Sequence, residues 1–389
     1  YFLNNFFIAK IMNLKSVSEI EHIEGRRIIL RSDLNEPIEN GVVRDTYRIL
    51  RALPTIQFLT SRGAKVILIT HLGGDGSEDL SPVVKVLEEN KVPLAYVRSA
   101  DRGTIQKVAA EIQNGNVLLL PNIRAFAGEK ENDADFSEWL ASLGDVYVND
   151  AFSVSHREHA SIVGVPKLLP SYAGMQLLEE IEHLSAMSNN PERPFVVIFG
   201  GAKLSTKLPL IKKLSQKADK TVVGGALLNQ ILFSRGMEIG QSLHDENEKV
   251  DASLFESENM IIPNDVVVKR GSESMTVGVN EVETNDVIVD IGIKSVGVIE
   301  AALLDAKTVL WNGPMGKYEE GYGGATEALL NKLAALSATT KTTVGGGDTV
   351  TLVAKLGLQD KLHFISTGGG ATLDYLEKGT LPGIKALES

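Results

Sequence analysis

Along the N-terminal half, short β-branched and leucine-rich runs alternate with longer stretches whose apolar residues recur at helical spacing. Residues 27–31, 65–70, 117–120 and 145–149 read as strands, and 48–62, 81–90 and 136–143 as helices between them. Alternation at this spacing predicts parallel βαβ units. The runs Val66-Ile67-Leu68-Ile69 and Val117-Leu118-Leu119-Leu120 are apolar throughout, as in strands covered on both faces. Such sheets collect ligands at the carboxyl ends of their strands. Leu177, Leu178, Ile181 and Leu184 keep helical spacing across 172–188, and the polar segment 189–194 stops that helix before a new strand. The second half repeats the alternation, and its more acidic stretch 244–285 is expected to supply strands and loops at the sheet edge. With 389 residues the chain exceeds one ordinary core, so two α/β domains meeting near 172–194 are expected.

Glycines punctuate the second half in a repeated way. Thr342-Thr343-Val344 runs into Gly345-Gly346-Gly347-Asp348-Thr349, and Ile365-Ser366-Thr367 into Gly368-Gly369-Gly370-Ala371. Residues 195–199 lead into Gly200-Gly201-Ala202-Lys203-Leu204-Ser205-Thr206-Lys207, and 221–223 into Gly224-Gly225-Ala226. A strand, a glycine turn and a helix together aim unpaired N–H groups and a positive dipole at one point, which suits phosphate. Four such turns, one with two lysines, predict a nucleotide site. Asp348 would repel a bare phosphate, and a bridging Mg²⁺ resolves that conflict. Neither G-x-x-x-x-G-K-[ST] nor G-x-G-x-x-G occurs, so a Walker-type NTPase and a dinucleotide fold are both disfavoured.

Charge narrows the partners further. A net charge of −11 argues against an extended nucleic-acid surface but leaves room for local basic patches. The absence of cysteine removes disulfides and thiolate chemistry. The apolar start, Tyr1 to Met12, is too short to span a bilayer, and Met12-Asn13-Leu14-Lys15 resembles a natural start. Residues 1–11 are therefore read as an upstream extension.

The first half offers such a basic patch. Asp33, Asn35, His71, Arg124 and Arg157 each fall just after a predicted strand, with Arg48 nearby, so one sheet edge would gather them. Alone, each is more often a turn, capping, structural or surface residue than a ligand; together they make a basket for a small phosphorylated carboxylate, since arginine forks bind both groups bidentately.

Read with these motifs, the chain resembles phosphoglycerate kinase from about Leu14 to Leu387. The pieces are Arg31-Ser-Asp-Leu-Asn, Tyr147-Val-Asn-Asp-Ala-Phe, His156-Arg, Gly200-Gly-Ala-Lys-Leu-Ser-Thr-Lys, Trp311-Asn-Gly-Pro-Met-Gly, Gly345-Gly-Gly-Asp-Thr and Ser366-Thr-Gly-Gly-Gly-Ala. The resemblance implies two doubly wound, mainly parallel-sheet, Rossmann-like domains joined by a hinge helix, with substrates bound in the cleft between them. It implies a 3-phosphoglycerate domain over 12–171, a hinge over 172–193, a nucleotide domain over 194–375 and a tail, 376–389, returning to the first domain. Asp33, Asn35, Arg48, His71, Arg124 and Arg157 would bind 3-phosphoglycerate or 1,3-bisphosphoglycerate. Lys203, Lys207, Asn312, Glu319, Gly346, Gly347, Asp348 and Thr349 would bind ATP or ADP, with Asp348 reaching Mg²⁺ through the nucleotide. Arg48, Lys203, Gly347 and Gly370 would line the transfer path. A cytoplasmic monomer, without nucleic-acid or membrane partners, is also implied.

Departures remain. The family usually has Arg-Pro after His-Leu-Gly, where this chain has Gly74-Asp75. Either Arg44, Arg102 or Lys130 compensates, or affinity for 3-phosphoglycerate is weaker. The loop 320–326 departs from the family wording, and Ser153 replaces a common glycine. A nucleotide-binding pseudoenzyme of the same fold, and a different small-molecule kinase that dispenses with Arg124 and Arg157, are the competing readings.

Overall fold

A computed structural model of the chain describes residues 13–202, 207–247, 250 and 252–388; the expected extension 1–11 and Lys203 lie outside the described residues. The chain divides into two compact units, one up to Glu182 together with Thr380 onward, the other His183–Gly379.

The first unit contains β1 (Arg27–Ser32), β2 (Ile38–Glu39), β3 (Val42–Val43), β4 (Lys65–Ile69), β5 (Leu94–Tyr96), β6 (Val117–Leu119), β7 (Val146–Asp150) and β8 (Ser171–Ala173). Six of them form one parallel sheet in the order β5-β6-β4-β1-β7-β8. The apolar runs explain its centre: Ile28, Ile29, Leu30, Val66, Ile67, Leu68 and Ile69 are all fully buried. Helix Tyr47–Ser61 buries Ile49, Ala52, Leu53, Ile56 and Leu59 along one stripe. The β2–β3 hairpin turns at Asn40 and Gly41, both at positive φ (52° and 74°), a conformation that Asn-Gly adopts readily.

Two elements went unread. β5 has three residues, none of them buried, and its short Leu94-Ala95-Tyr96 run just after Pro93 was not read as a strand. Helix Arg102–Glu111 buries only Ile105 and Ala109, too few for a stripe. The stretch from Tyr172 opens as β8, not helix; the helix is Met175–Asn189, and the Asp150 carboxylate accepts from the Gln176 and Leu177 amides at its start (2.8 and 3.2 Å).

The second unit is built on β9 (Phe195–Phe199), β10 (Lys220–Val223), β11 (Met260–Ile261), β15 (Thr308–Asn312), β16 (Lys341–Gly345) and β17 (Phe364–Ile365), parallel in the order β11-β10-β9-β15-β16-β17. Within 244–285 only β11 joins that sheet edge. β12 (Asp265–Arg270) and β13 (Glu273–Gly278) turn back at Gly271 (φ 64°) and, with β14 (Val287–Ile291), make a separate antiparallel sheet. A tight turn joins antiparallel strands, so this segment could not extend a parallel sheet.

The last residues belong to the first unit. The Gly383 amide donates to the Ser155 carbonyl (2.8 Å). No helix among the described residues is long and apolar enough to cross a membrane.

Candidate active site

Four adjacent strands of the first sheet, β6-β4-β1-β7, deliver the expected basket. Asp33 follows β1, His71 follows β4, Arg124 follows β6 and Arg157 follows β7. Asp33 is buried and accepts from the Ser153 hydroxyl (2.5 Å) and the Asn35 amide (3.1 Å). Arg48, from helix Tyr47–Ser61, places Nη1 3.5 Å from Asp33 Oδ2 and donates to the Asn35 carbonyl (2.9 Å). Burial pushes the Asp33 carboxyl up, but Arg48, His71, Ser153 and the Asn35 amide outweigh it and hold the group below its usual range. Asp33 is therefore an ionised acceptor.

His71 has the opposite character. Burial, then the charges of Arg31, Arg124 and Arg157, hold its imidazole well below 6.5 against the pull of Asp33, so it is neutral at physiological pH. Arg31 Nη2 lies 3.2 Å from His71 Nδ1. A guanidinium can only donate, so Nδ1 accepts and the proton sits on Nε2. Arg31 is itself buried: Nε donates to the Ser161 hydroxyl (3.1 Å), which donates to Glu129 (2.6 Å). This inner layer of Arg31, Ser161 and Glu129 was given no role from sequence, and Ser153 was noted there only as a departure from the family's glycine.

The remaining residues anchor the loop after β4. Asn35 Oδ1 accepts from the Gly73 amide (2.9 Å), Arg124 donates to the Gly73 carbonyl, and Lys130 donates to the Gly74 carbonyl (2.8 Å). Arg124 Nε is buried without a hydrogen-bond partner, and Arg157 is exposed and makes no side-chain ion pair among the described residues. These are the donors that an anionic ligand would satisfy.

In the second unit all four glycine turns lead into helices: Leu208–Ser215, Ala226–Ser234, Gly347–Lys355 and Gly370–Lys378. The turns interlock. The Gly201 amide donates to the Pro314 carbonyl (2.7 Å), and the Gly225 amide to that of Met315 (2.9 Å). The Gly313 amide donates to the Thr349 hydroxyl oxygen (3.1 Å), so Thr349 braces the turn after β15. Gly346 has φ 92° and opens the helix that carries Gly347, with open space around it, and the exposed Asp348. Asn312 is buried, and its Nδ2 has no hydrogen-bond partner among the described residues. Gly370 begins the last of these helices and is exposed.

Lys207 is buried and donates to the Gly200 carbonyl, with the Asn312 carbonyl at 3.5 Å. Burial lowers its ammonium to about 8, with Asp348 pulling the other way. Between about pH 8 and 10.5 the unfolded lysine holds a proton that the folded one has lost, so folding is penalised below that window and relieved as pH rises through it. A polyphosphate beside Lys207 favours the charged form. Binding of ADP near pH 8.5 is therefore expected to take up protons, measured by calorimetry in buffers of different ionisation enthalpy. Lys207→Met should abolish the uptake; identical proton counts in both proteins would contradict the placement.

A cavity of about 290 Å³ adjoins these turns. Gly225, Leu228, Leu243, Pro314, Glu319 and Asp348 are among the residues that line it. Leu243 is 54% exposed, an apolar surface suited to a flat ring. Leu228 and Leu243 were not anticipated; only the glycine turn before Leu228 was visible in sequence. The Tyr318 hydroxyl is pushed up to about 12 by burial, then by Asp348 and Glu319, so it stays protonated beside both carboxylates. No group of three or more carboxylate or histidine ligands suited to a metal occurs among the described residues. Asp348, exposed at the rim, could hold a cation only together with ligand oxygens.

The family model described as phosphoglycerate kinase matches residues 17–379. The phosphoglycerate kinase of a Nostoc species is 41% identical over 97% of this chain and 100% of its own length. That of Dictyoglomus turgidum is 40% identical over 95% of this chain and 97% of its own. Among solved structures, phosphoglycerate kinase from Coxiella burnetii superposes with a TM-score of 0.81 at 34% identity, covering 96% of this chain and 98% of that one. The enzyme from Pyrococcus horikoshii gives 0.83 at 26% identity over the same shares.

Proposed function

The chain belongs to the phosphoglycerate kinase family, phosphotransferases with a carboxyl group as acceptor, and from that premise we propose how its residues divide the work. The reaction moves a phosphoryl group reversibly between 1,3-bisphosphoglycerate with ADP and 3-phosphoglycerate with ATP.

The basket binds the acid. Arg124 and Arg157 hold the non-reacting phosphate, His71 donates through Nε2, and Asp33 and Asn35 accept from the substrate hydroxyl. Arg48 faces the reacting carboxyl and offsets charge on the transferring group, as the transfer requires. The single observation that carries this reading is the convergence of an ionised Asp33, a neutral donor His71, Arg124 and Arg157 on four adjacent strand ends, with Arg48 reaching Asp33 from the helix Tyr47–Ser61.

The glycine turns bind the nucleotide. Leu228, Leu243 and Pro314 receive the base, Glu319 the ribose, and Lys207, Asn312, Gly346, Gly347 and Thr349 the phosphates, with Gly347 and Gly370 leaving the transfer path open. Lys203, by resemblance, steadies the transferring group. Asp348 holds Mg²⁺ together with the nucleotide's phosphate oxygens, where the ion offsets their charge. The same reading takes the protein as a cytoplasmic monomer with boundaries near 171, 193 and 375. No observation favours a pseudoenzyme.

Calorimetric titration with 3-phosphoglycerate tests the basket. Arg124→Gln is expected to weaken binding by about 10–100-fold, the worth of a charge-assisted contact. Unchanged affinity would overturn the assignment and favour a kinase acting on another acceptor.

A further inference from the structure

The loop after β4 lacks positive charge. Residues 72–80 contain Asp75, Glu78 and Asp79 but no Lys or Arg. Asp75 is occupied by the Ser77 amide and hydroxyl (2.9 and 2.7 Å), and Asp79 accepts from the Tyr96 hydroxyl (2.7 Å). The loop that follows His71 thus carries three carboxylates and no cation of its own. That is electrostatically costly for binding unless a cation answers them.

The three cations named from sequence as possible compensation are not equivalent. Arg44 is paired with Glu39 (2.6 Å). Arg102 lies over the Phe136 and Trp139 rings, 5.4 and 5.1 Å from their centroids. Lys130 alone of the three reaches the loop, with Nζ 2.8 Å from the Gly74 carbonyl. Its charge acts on Asp75, and also on His159, where Arg157 and Arg124 act too. Its neighbour Glu129 points the other way, into the buried layer with Ser161. One hydrogen bond from Nζ leaves two N–H donors for another acceptor.

We propose that Lys130 is a specificity-determining cation of the basket, held over the loop by the Gly74 carbonyl so that its remaining N–H donors meet the phosphate of the phosphorylated acid. This rests on the basket being the acid site. Arg124→Gln is therefore run alongside, since loss of binding there with none at Lys130 sinks this inference alone, whereas no loss in either sinks the basket.

Lys130→Gln can keep the bond to the Gly74 carbonyl but not the charge. It is expected to raise KM for 3-phosphoglycerate roughly tenfold, with kcat and the KM for Mg-ATP unchanged. Lys130→Arg should retain most of the affinity. Gly74 offers an independent rescue: nothing lies within 4 Å of a Cβ built there, and its φ is ordinary. Gly74→Arg in the Lys130→Gln background should recover the lost affinity by placing a cation on the loop itself. If Lys130→Gln binds the acid like the parent protein, Lys130 is only a tether and the inference is wrong. It is equally overturned if kcat falls while KM stays, or if Gly74→Arg restores nothing in a folded protein.

Discussion

Replacing Arg48 by alanine is expected to lower kcat by about 10²–10³-fold while the protein stays folded, as for loss of one preorganised donor to a developing charge. The side chain is 27% exposed, so its removal leaves a small gap and no deep cavity. Its ionic partner is Asp33, 3.5 Å from Nη1, and Asp33 keeps the Ser153 hydroxyl, the Asn35 amide and the nearby His71 when Arg48 goes. Glu36, which accepts from the Arg48 amide (2.6 Å), is pushed up to about 8 by burial, so it holds its proton near neutrality and adds no competing negative charge. The guanidinium is thus positioned by one carboxylate and one carbonyl and keeps further N–H donors for a ligand. Arg48→Lys supplies the charge without the fork and should recover only part of the loss. Single-turnover kinetics separate this effect from binding, and an alanine variant with half the parent rate would remove Arg48 from the transfer step.

Gly313→Ala is expected to destabilise the second unit by about 2–5 kcal/mol and to abolish nucleotide binding. Gly313 has φ 94°, a conformation that side-chain-bearing residues adopt at a cost. A Cβ there would stand 2.4 Å from the Gly200 carbonyl oxygen and 2.6 Å from both the Gly200 carbonyl carbon and Lys207 Nζ. Two of these neighbours are backbone atoms in the turn after β9, which cannot move aside as a flexible side chain could. The turns after β9 and β15 would separate, and Lys207 would lose its carbonyl partner. Thermal melting with and without ADP reads both effects; an unchanged melting temperature and an intact ligand shift would refute the packing argument.

How much of this was visible beforehand depends on how local the signal is. The four glycine turns were readable because strand, glycines and helix follow one another within a few residues of sequence, and the strands and helices that flank them occur among the described residues. The basket was readable for a related reason: each residue follows its strand directly, and parallel strands put their carboxyl ends on one edge. What escaped depends on distant pairs. Ser153 matters because its hydroxyl meets Asp33, 120 residues earlier in the chain. Arg31 sits inside a motif, yet its grip on His71 Nδ1 needs β1 beside β4. Leu243 lines the cavity from a stretch without periodicity, and β12 to β14 leave the main sheet because of a turn at Gly271. β5 is only three residues long and half exposed, so its apolar run Leu94-Ala95-Tyr96 after Pro93 was too short to read as a strand.

The most direct test of the whole account is steady-state phosphorylation of 3-phosphoglycerate by Mg-ATP, followed by coupled oxidation of NADH, with Arg48→Ala alongside. Turnover in the parent protein that falls by at least two orders of magnitude in the variant is the predicted result. A folded parent protein that binds ADP yet phosphorylates no 3-phosphoglycerate would contradict it.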